Sequence, residues 1–287
     1  MKGWIVVNSF VNSNKFKNLY DFFEKSAKEL NIELEIKTSD SLICPTDEDL
    51  KTLNLPKFII FWDKDVYLAK RLESTGVPVF NSADAIRLCD NKILTTLALN
   101  KVVDMPKTII APKTFEGVGY NNFVFLEKAI DLLGLPIVIK EAYGSFGQQV
   151  YLANSYNEAK NIFSQIGYKD CLIQEFIGTS CGKDVRINVV GGEVVASMLR
   201  FNDHDFRSNI SNGGSMKRFT PSKEQKQIAL KACEVLGLSF AGVDVLFGKD
   251  DKPYICEVNS NPHFKSTFDC TGVDMSQKIL SYILGVI

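Results

Sequence analysis

The sequence predicts an α/β fold divided into two or three compact units, and three observations carry that reading. Short apolar runs of strand length alternate with amphipathic helical stretches from the first residues onward. Later runs pair off around glycine- and asparagine-bearing turns, as α+β units do. A chain of 287 residues that is 45% hydrophobic can also bury more than one core. The formal net charge of -1 gives no electrostatic reason to expect nucleic acid or an anionic membrane as partner. No apolar stretch approaches the roughly 20 residues that span a bilayer, and Met1 to Val7 is too short for a signal peptide before Asn8. Cys44, Cys89, Cys171, Cys181, Cys233, Cys256 and Cys270 form no C-x-x-C pair and are odd in number, which fits reduced thiols and a cytoplasmic setting. Cys181 lies in a glycine-flanked loop and is the candidate reactive thiol, although an inert thiol has the same signature.

Trp4 to Val7 reads as a first buried strand, and Leu19, Phe22, Phe23, Ala27 and Leu30 give Phe16 to Leu30 one apolar helical face. Ile32 to Ile36, Phe58 to Phe61 and Val77 to Phe80 follow as strands, with a helix near Asp65 to Ser74. These residues predict a small open α/β sheet. It lacks the G-x-G-x-x-G fingerprint of a dinucleotide site. Asn81-Ser82 opens a helix and Asp90-Asn91-Lys92 a second one, which places a junction near residues 88 and 89. Lys107 to Ile110, the helix Phe123 to Leu133 and the strand Ile137 to Lys140 belong to a second unit.

Glu141 to Leu152 then reads as strand, glycine-bearing loop and strand, a flap whose N–H groups can wrap phosphates, with Gly144 and Gly147 permitting the turn. An ordinary hairpin looks the same, and no Walker lysine follows. Lys140 points where the flap would hold a ligand, unless it snorkels to the surface. Ser155 to Ile166 is a helix and Cys171 to Ile177 a strand. Glycines at 178 and 182 mark a hinge, dividing the chain into units 1–88, 89–177 and 178–287. Asp184 to Val190 and Glu193 to Phe201 form a hairpin through Gly191-Gly192. The polar loop Asn202 to Gly214 offers His204, Arg207 and Asn209, and Arg207 has the fork geometry to hold a phosphoryl group, although a solvated loop has the same composition. Thr220 and Pro221 read as N-cap and first residue of a helix burying Ile228, Ala232, Val235 and Leu236. Met275 to Leu284 is a final helix.

The strongest chemical signal is the pair of runs Gly242 to Phe247 and Tyr254 to Asn259 around Gly248 to Pro253. A hairpin centred between Asp250 and Asp251 sets Asp244 opposite Glu257. Alternation adds Asn259 to that face and turns Val243, Val245, Cys256 and Val258 to the other. Opposed carboxylates destabilise a sheet, so a cation is expected to neutralise them, and these oxygens suit magnesium or manganese. A register one residue off would instead leave one of the three solvated.

Asp90-Asn91-Lys92, Ile139-Lys140 with Gly144 to Gly147, Gln174 to Ile177, Gly182 to Arg186, Asp205 to Asn209 with Gly213-Gly214, Gly242-Val243-Asp244 and Glu257 to Pro262 stand in one order that resembles the ATP-grasp superfamily, and within it the RimK-type alpha-L-glutamate and amino acid ligases. The resemblance covers Asn81 onward. It implies an ATP-grasp fold, two α+β subdomains clamping ATP, with residues 1–88 as a pre-ATP-grasp domain. It further implies phosphate contacts from Lys92 and Lys140, adenine contacts from Glu175 and Ile177, ribose contacts from Asp184, and further nucleotide contacts from Ser145, Gly147, Phe176 and Leu246. Asp244, Glu257 and Asn259 would hold two magnesium or manganese ions. Arg207, Ser208 and Asn209 would sit at the γ-phosphate, with Arg186 and Arg207 catalytic beside Asn209. The implied reaction activates a carboxylate as an acyl phosphate and transfers it to an amine, adding an amino acid such as glutamate to a peptide, protein tail or small molecule. Relatives that modify protein tails carry consecutive basic residues where this chain has Arg200-Phe201-Asn202, which favours a small molecule or peptide. A nucleotide-binding regulatory protein without turnover, or a ligase of other bond specificity, would share the fold. Homo-oligomers are common in the family, although no segment shows an interface.

Overall fold

The computed structural model describes residues 1–11, 13–210 and 213–287. Alternation at the start yields β1 (Lys2–Val7), α1 (Asn14–Glu29), β2 (Glu33–Thr38), α2 (Asp47–Lys51), β3 (Phe58–Trp62), α3 (Val66–Glu73) and β4 (Val79–Phe80). The strands form a parallel sheet in the order β2-β1-β3-β4. β1 and β3 are buried on both faces, which explains their unbroken apolar runs. Trp4, Val6, Ile59 and Phe61 pack toward α3, while Ile5, Val7, Ile60 and Trp62 join the α1 side.

Ser82 caps α4 (Ala83–Asp90), and the Asn91 side chain accepts from the N–H groups of Ile93 and Leu94 to start α5 (Lys92–Leu99). The second sheet comprises β5 (Thr108–Ile110), β6 (Ile137–Glu141), β7 (Val150–Ala153) and β8 (Cys171–Glu175), covered by α6 (Val124–Leu133) and α7 (Tyr156–Ile166). Its order is β5-β8-β6-β7, antiparallel throughout. The third sheet holds β9 (Lys183–Val190), β10 (Glu193–Phe201), β11 (Ser215–Arg218), β12 (Phe240–Phe247) and β13 (Pro253–Asn259) in the order β11-β10-β9-β12-β13. Packed on it is α8 (Lys223–Val235), followed later in the chain by α9 (Lys265–Thr271) and α10 (Met275–Val286).

Several expectations change. The cap of α8 is Ser222, not Thr220: Ser222 and Gln225 satisfy each other's N–H groups in a capping box. The hinge strand ends at Glu175 rather than Ile177. Three short elements, α2, β11 and α9, have too few apolar positions to show periodicity in the sequence. No helix among the described residues is long and apolar enough to cross a membrane.

Asn81 joins the first unit to the third sheet. Fully buried, it donates to the carbonyls of Phe240 (2.9 Å) and Ser260 (2.8 Å) and accepts from the Ser239 and Phe240 amides. The α10 side chains Met275, Ile279, Leu280 and Ile283 share one core with Phe23 of α1 and Trp62 of β3.

Candidate active site

The site is built on the alternation of β9. Val185, Ile187 and Val189 are fully buried toward α8, so Asp184, Arg186 and Asn188 take the opposite face. In register, Arg186 faces Asp244, Asp244 faces Glu257, and Asp184 faces Arg200. Arg200 donates from Nε to Asp184 Oδ1 at 2.7 Å and from Nη2 to Asp184 Oδ2 at 2.5 Å, and also lies 2.9 Å from Asp244. Arg186 pairs through both Nε and Nη2 with Asp244, the Nη2 contact being 2.7 Å. Burial pushes the Asp244 carboxyl up, but Arg186 and Arg200 outweigh it and hold it below the usual carboxylate range. Burial likewise opposes the charge of Arg200, and Asp184 and then Asp244 keep it protonated.

Asp244 therefore meets two arginines, which corrects the inference that opposed carboxylates require a bound cation. Glu257 is part-exposed and has Lys92 Nζ at 3.6 Å. Among the described residues no cluster of three His, Cys, Asp or Glu side chains could hold a metal. The donor set nevertheless fits one. Glu257 and Asn259 line one and the same cavity, and Asn259 spends only its Nδ2 on a 3.5 Å contact with Gly242 O. Gly242 permits the packing beneath them: a Cβ there would lie 2.9 Å from Arg186 Nη1 and 2.8 Å from Pro262.

A β-bulge separates Asp244 from Val245, so Val245 pairs with Ile255. Ile255 takes the core position and Cys256 faces the cleft, the reverse of its expected side. Its thiol lies 3.7 Å from Lys140 Nζ, and burial pushes its pKa up despite that lysine.

A cleft between the second and third sheets collects most of the expected residues. Lys140 is the last but one residue of β6 and is 7% exposed. Lys92 opens α5, its Nζ donating to Gly144 O at 3.2 Å. Glu175, Phe176, Ile177 and Leu246 line one end, where the Lys107 amide donates to Glu175 Oε1 at 2.6 Å. Asp184 lines the cleft with both oxygens committed to Arg200, so any ribose contact would share that carboxylate. Ser145, Gly147, Arg207, Ser208, Asn209, Asp244 and Glu257 complete the wall. Arg186 and Asn259 stand outside it, in a second cavity of about 800 Å³ that shares Ser145, Asn209 and Glu257 with the cleft. His204 is exposed. Ser211 and Asn212 of the polar loop lie outside the described residues.

The flap is docked on that loop. Arg207 Nη1 donates to Gly147 O at 2.6 Å, while Nε and Nη2 grip Asp205. That pair holds the Asp205 carboxyl below its usual range and raises Arg207. Gly147 has φ +72°, and a Cβ there would lie 2.7 Å from Asn209 Oδ1. Gly147→Ala is expected to loosen the flap, with a backbone penalty of about 1–2 kcal/mol read as faster proteolysis within residues 142–149. An unchanged rate would show that the docked contact is dispensable.

Arg200 was not among the expected ligands, although its place on the alternating strand Glu193 to Phe201 is the available signal. Nor were Asp63 and Lys64, which line the larger cavity.

A model of the RimK-like ATP-grasp domain matches residues 89–283. An uncharacterised protein of Mycoplasma pneumoniae is 32% identical over 88% of this chain and 88% of its own length. A probable alpha-L-glutamate ligase of Maridesulfovibrio salexigens is 33% identical over 75% of the chain and 70% of its own. A beta-citrylglutamate synthase B of Danio rerio is 31% identical over 78% of the chain, which spans 55% of that protein. Among solved structures, a RimK domain ATP-grasp protein of Sphaerobacter thermophilus superposes with TM-score 0.72 at 19% identity, covering 98% of this chain and 99% of its own. A D-alanine–D-alanine ligase of Bacillus anthracis crystallised with ATP gives 0.73 at 17% identity, over 99% and 96%. These last two are likenesses of fold.

Proposed function

The chain belongs to the RimK-like ATP-grasp family, and from that premise we propose that it is an ATP-dependent ligase joining a carboxylate to an amine. The observation that carries this reading is the convergence of Lys92, Lys140 and Arg207 with Glu257 on one cleft that opens into a second, larger cavity. On this reading nucleotide binds in the cleft and the acid in the cavity. A carboxylate oxygen attacks the γ-phosphorus, the bond to the bridging oxygen breaks, and ADP leaves. The approach of two anions is opposed by their charges, which the lysines and Arg207 offset. The amine nitrogen then attacks the acyl carbon, phosphate departs with its oxygen, and the nitrogen gives up a proton. The docked flap keeps water from the acyl phosphate meanwhile.

Asp244, Glu257 and Asn259 are the residues that would hold magnesium or manganese. Such an ion, when bound, neutralises phosphate charge. Since glutamate is named in the ligase and the synthase above, we take it as the first substrate to test. The acceptor is a peptide or small molecule on this reading.

The test is ADP release with hydroxylamine, which intercepts an acyl phosphate, across a panel of carboxylic acids. Release stimulated by one acid supports the ligase and names its donor. Nucleotide binding without release for any acid, even with amines added, would favour a regulatory protein. Glu257→Gln is expected to lower release by about 100-fold or more with an unchanged melting temperature, because its side chain is 31% exposed.

A further inference from the structure

The larger cavity reaches a place that the ligase chemistry above leaves unused, the carboxyl edge of the first sheet. With the order β2-β1-β3-β4, the connections after β1 and β3 run to opposite sides, and the crevice between those strand ends is where open parallel sheets bind ligands. Asn8 follows β1, Asp63 follows β3, and both line the cavity. Asp63 is 9% exposed. Asn8 Nδ2 lies 3.3 and 3.2 Å from its two oxygens, and the Lys64 amide donates to Oδ1 at 2.6 Å.

The other acidic and basic side chains of this cavity, histidine aside, have counter-charges. Lys64 pairs with Asp90, Arg186 with Asp244, Arg200 with Asp184, Lys265 with Asp269, and Glu257 with Lys92. Asp63 pairs with no cation among the described residues. Burial, its largest influence, pushes its carboxyl above the usual range. Beside it, Asn261 Nδ2 donates to Asp63 O at 2.8 Å while its buried Oδ1 finds no donor among the described residues. Phe16, Tyr20 and Trp62 line the same cavity. Among the described residues, then, a carboxylate without a cation and an acceptor without a donor face one aromatic wall, and together they form a site for an organic cation.

We propose that Asp63 anchors a protonated amino group of the acid that this enzyme phosphorylates, so that its donor is an amino acid or peptide with a free ammonium rather than an N-acylated acid. The proposal rests on the ligase reading. The group held is a spectator: an attacking amine must be neutral, and a carboxylate partner keeps it protonated. Asn8 is a positioning residue that fixes both Asp63 oxygens.

The test uses the full chain, the hydroxylamine assay, and the proteinogenic L-amino acids beside their N-acetyl derivatives. Wild type is expected to favour the free amino acid. Asp63→Asn retains an acceptor for the Lys64 amide and is expected to raise KM for the free form by about 10- to 100-fold. KM for ATP and activity on the N-acetyl form stay unchanged. A wild-type preference for the acetylated acid overturns the proposal, as does an unaltered KM in Asp63→Asn; if that variant does not fold, the wild-type comparison alone decides. If no acid supports ADP release, the ligase reading fails separately. The amino acids are then titrated calorimetrically into wild type and Asp63→Asn loaded with AMPPNP. Binding lost in the variant sustains the ammonium site; equal or absent binding removes it.

Discussion

Replacing Arg207 with alanine will reduce acyl-phosphate formation by about 1,000-fold or more, the range in which an arginine at a transferring phosphoryl group acts. ATP affinity will fall far less. The difference arises because Arg207 is already held by Asp205 and by Gly147 O, so its fork costs little reorganisation when charge develops beside it. Lysine will not rescue the loss, since one ammonium cannot grip Asp205 and reach the flap carbonyl together. Single-turnover ADP formation at saturating acid, alongside nucleotide titration, separates the two effects. Equal losses in binding and turnover would make Arg207 a nucleotide clamp rather than a catalytic residue.

Asp244→Asn will have its largest effect on stability. Arg186 and Arg200 are 8% and 6% exposed, and both rely on this carboxylate. Removing one partner of a buried pair costs about 3–5 kcal/mol, because the remaining charge stays desolvated. The depressed carboxyl of Asp244 sets the sign with pH. Its stabilisation is fully present above the unfolded carboxylate range and is lost as pH falls through its lower folded value. Urea unfolding of the variant should therefore show the full deficit near neutrality and a shrinking one toward acid. A pH-independent deficit would assign the loss to packing. Glu257→Gln is consequently the cleaner probe of chemistry than any change at Asp244.

The opposition of Asp244 and Glu257 was legible because hydrophobic alternation and turn chemistry fix a hairpin locally. Even there, two departures cancel. The turn closes one residue tighter than expected, with Phe247 opposite Pro253, and the bulge at Cys256 restores the register where the carboxylates meet. The flanking hairpin had no such cancellation. A regular ladder through Gly191-Gly192 would set Arg200 against Lys183; the irregularity between Val194 and Ala196 moves it onto Asp184. A bulge is a single unpaired residue with no composition of its own, so this salt bridge was hidden although both residues were in view. Asp63 was hidden for another reason. Its significance depends on Asn8, Asn261 and a cavity formed by distant segments, whereas in sequence it is one acid among Asp63-Lys64-Asp65. Elements with long apolar faces, such as α1 and α10, were readable from periodicity; α9, with seven residues, was not.

The sharing of one core by α1, β3 and α10 bears on how the molecule is made. On the ribosome the first sheet emerges early, but the face carrying Ile5, Ile60 and Trp62 gains its contacts with Met275, Ile279, Leu280 and Ile283 only when the final helix has been synthesised. Until then that apolar face stays partly open through synthesis of some two hundred further residues, at about 5–20 residues per second. The first unit is thus exposed to chaperones, or to wrong partners, for longer than its own length would suggest.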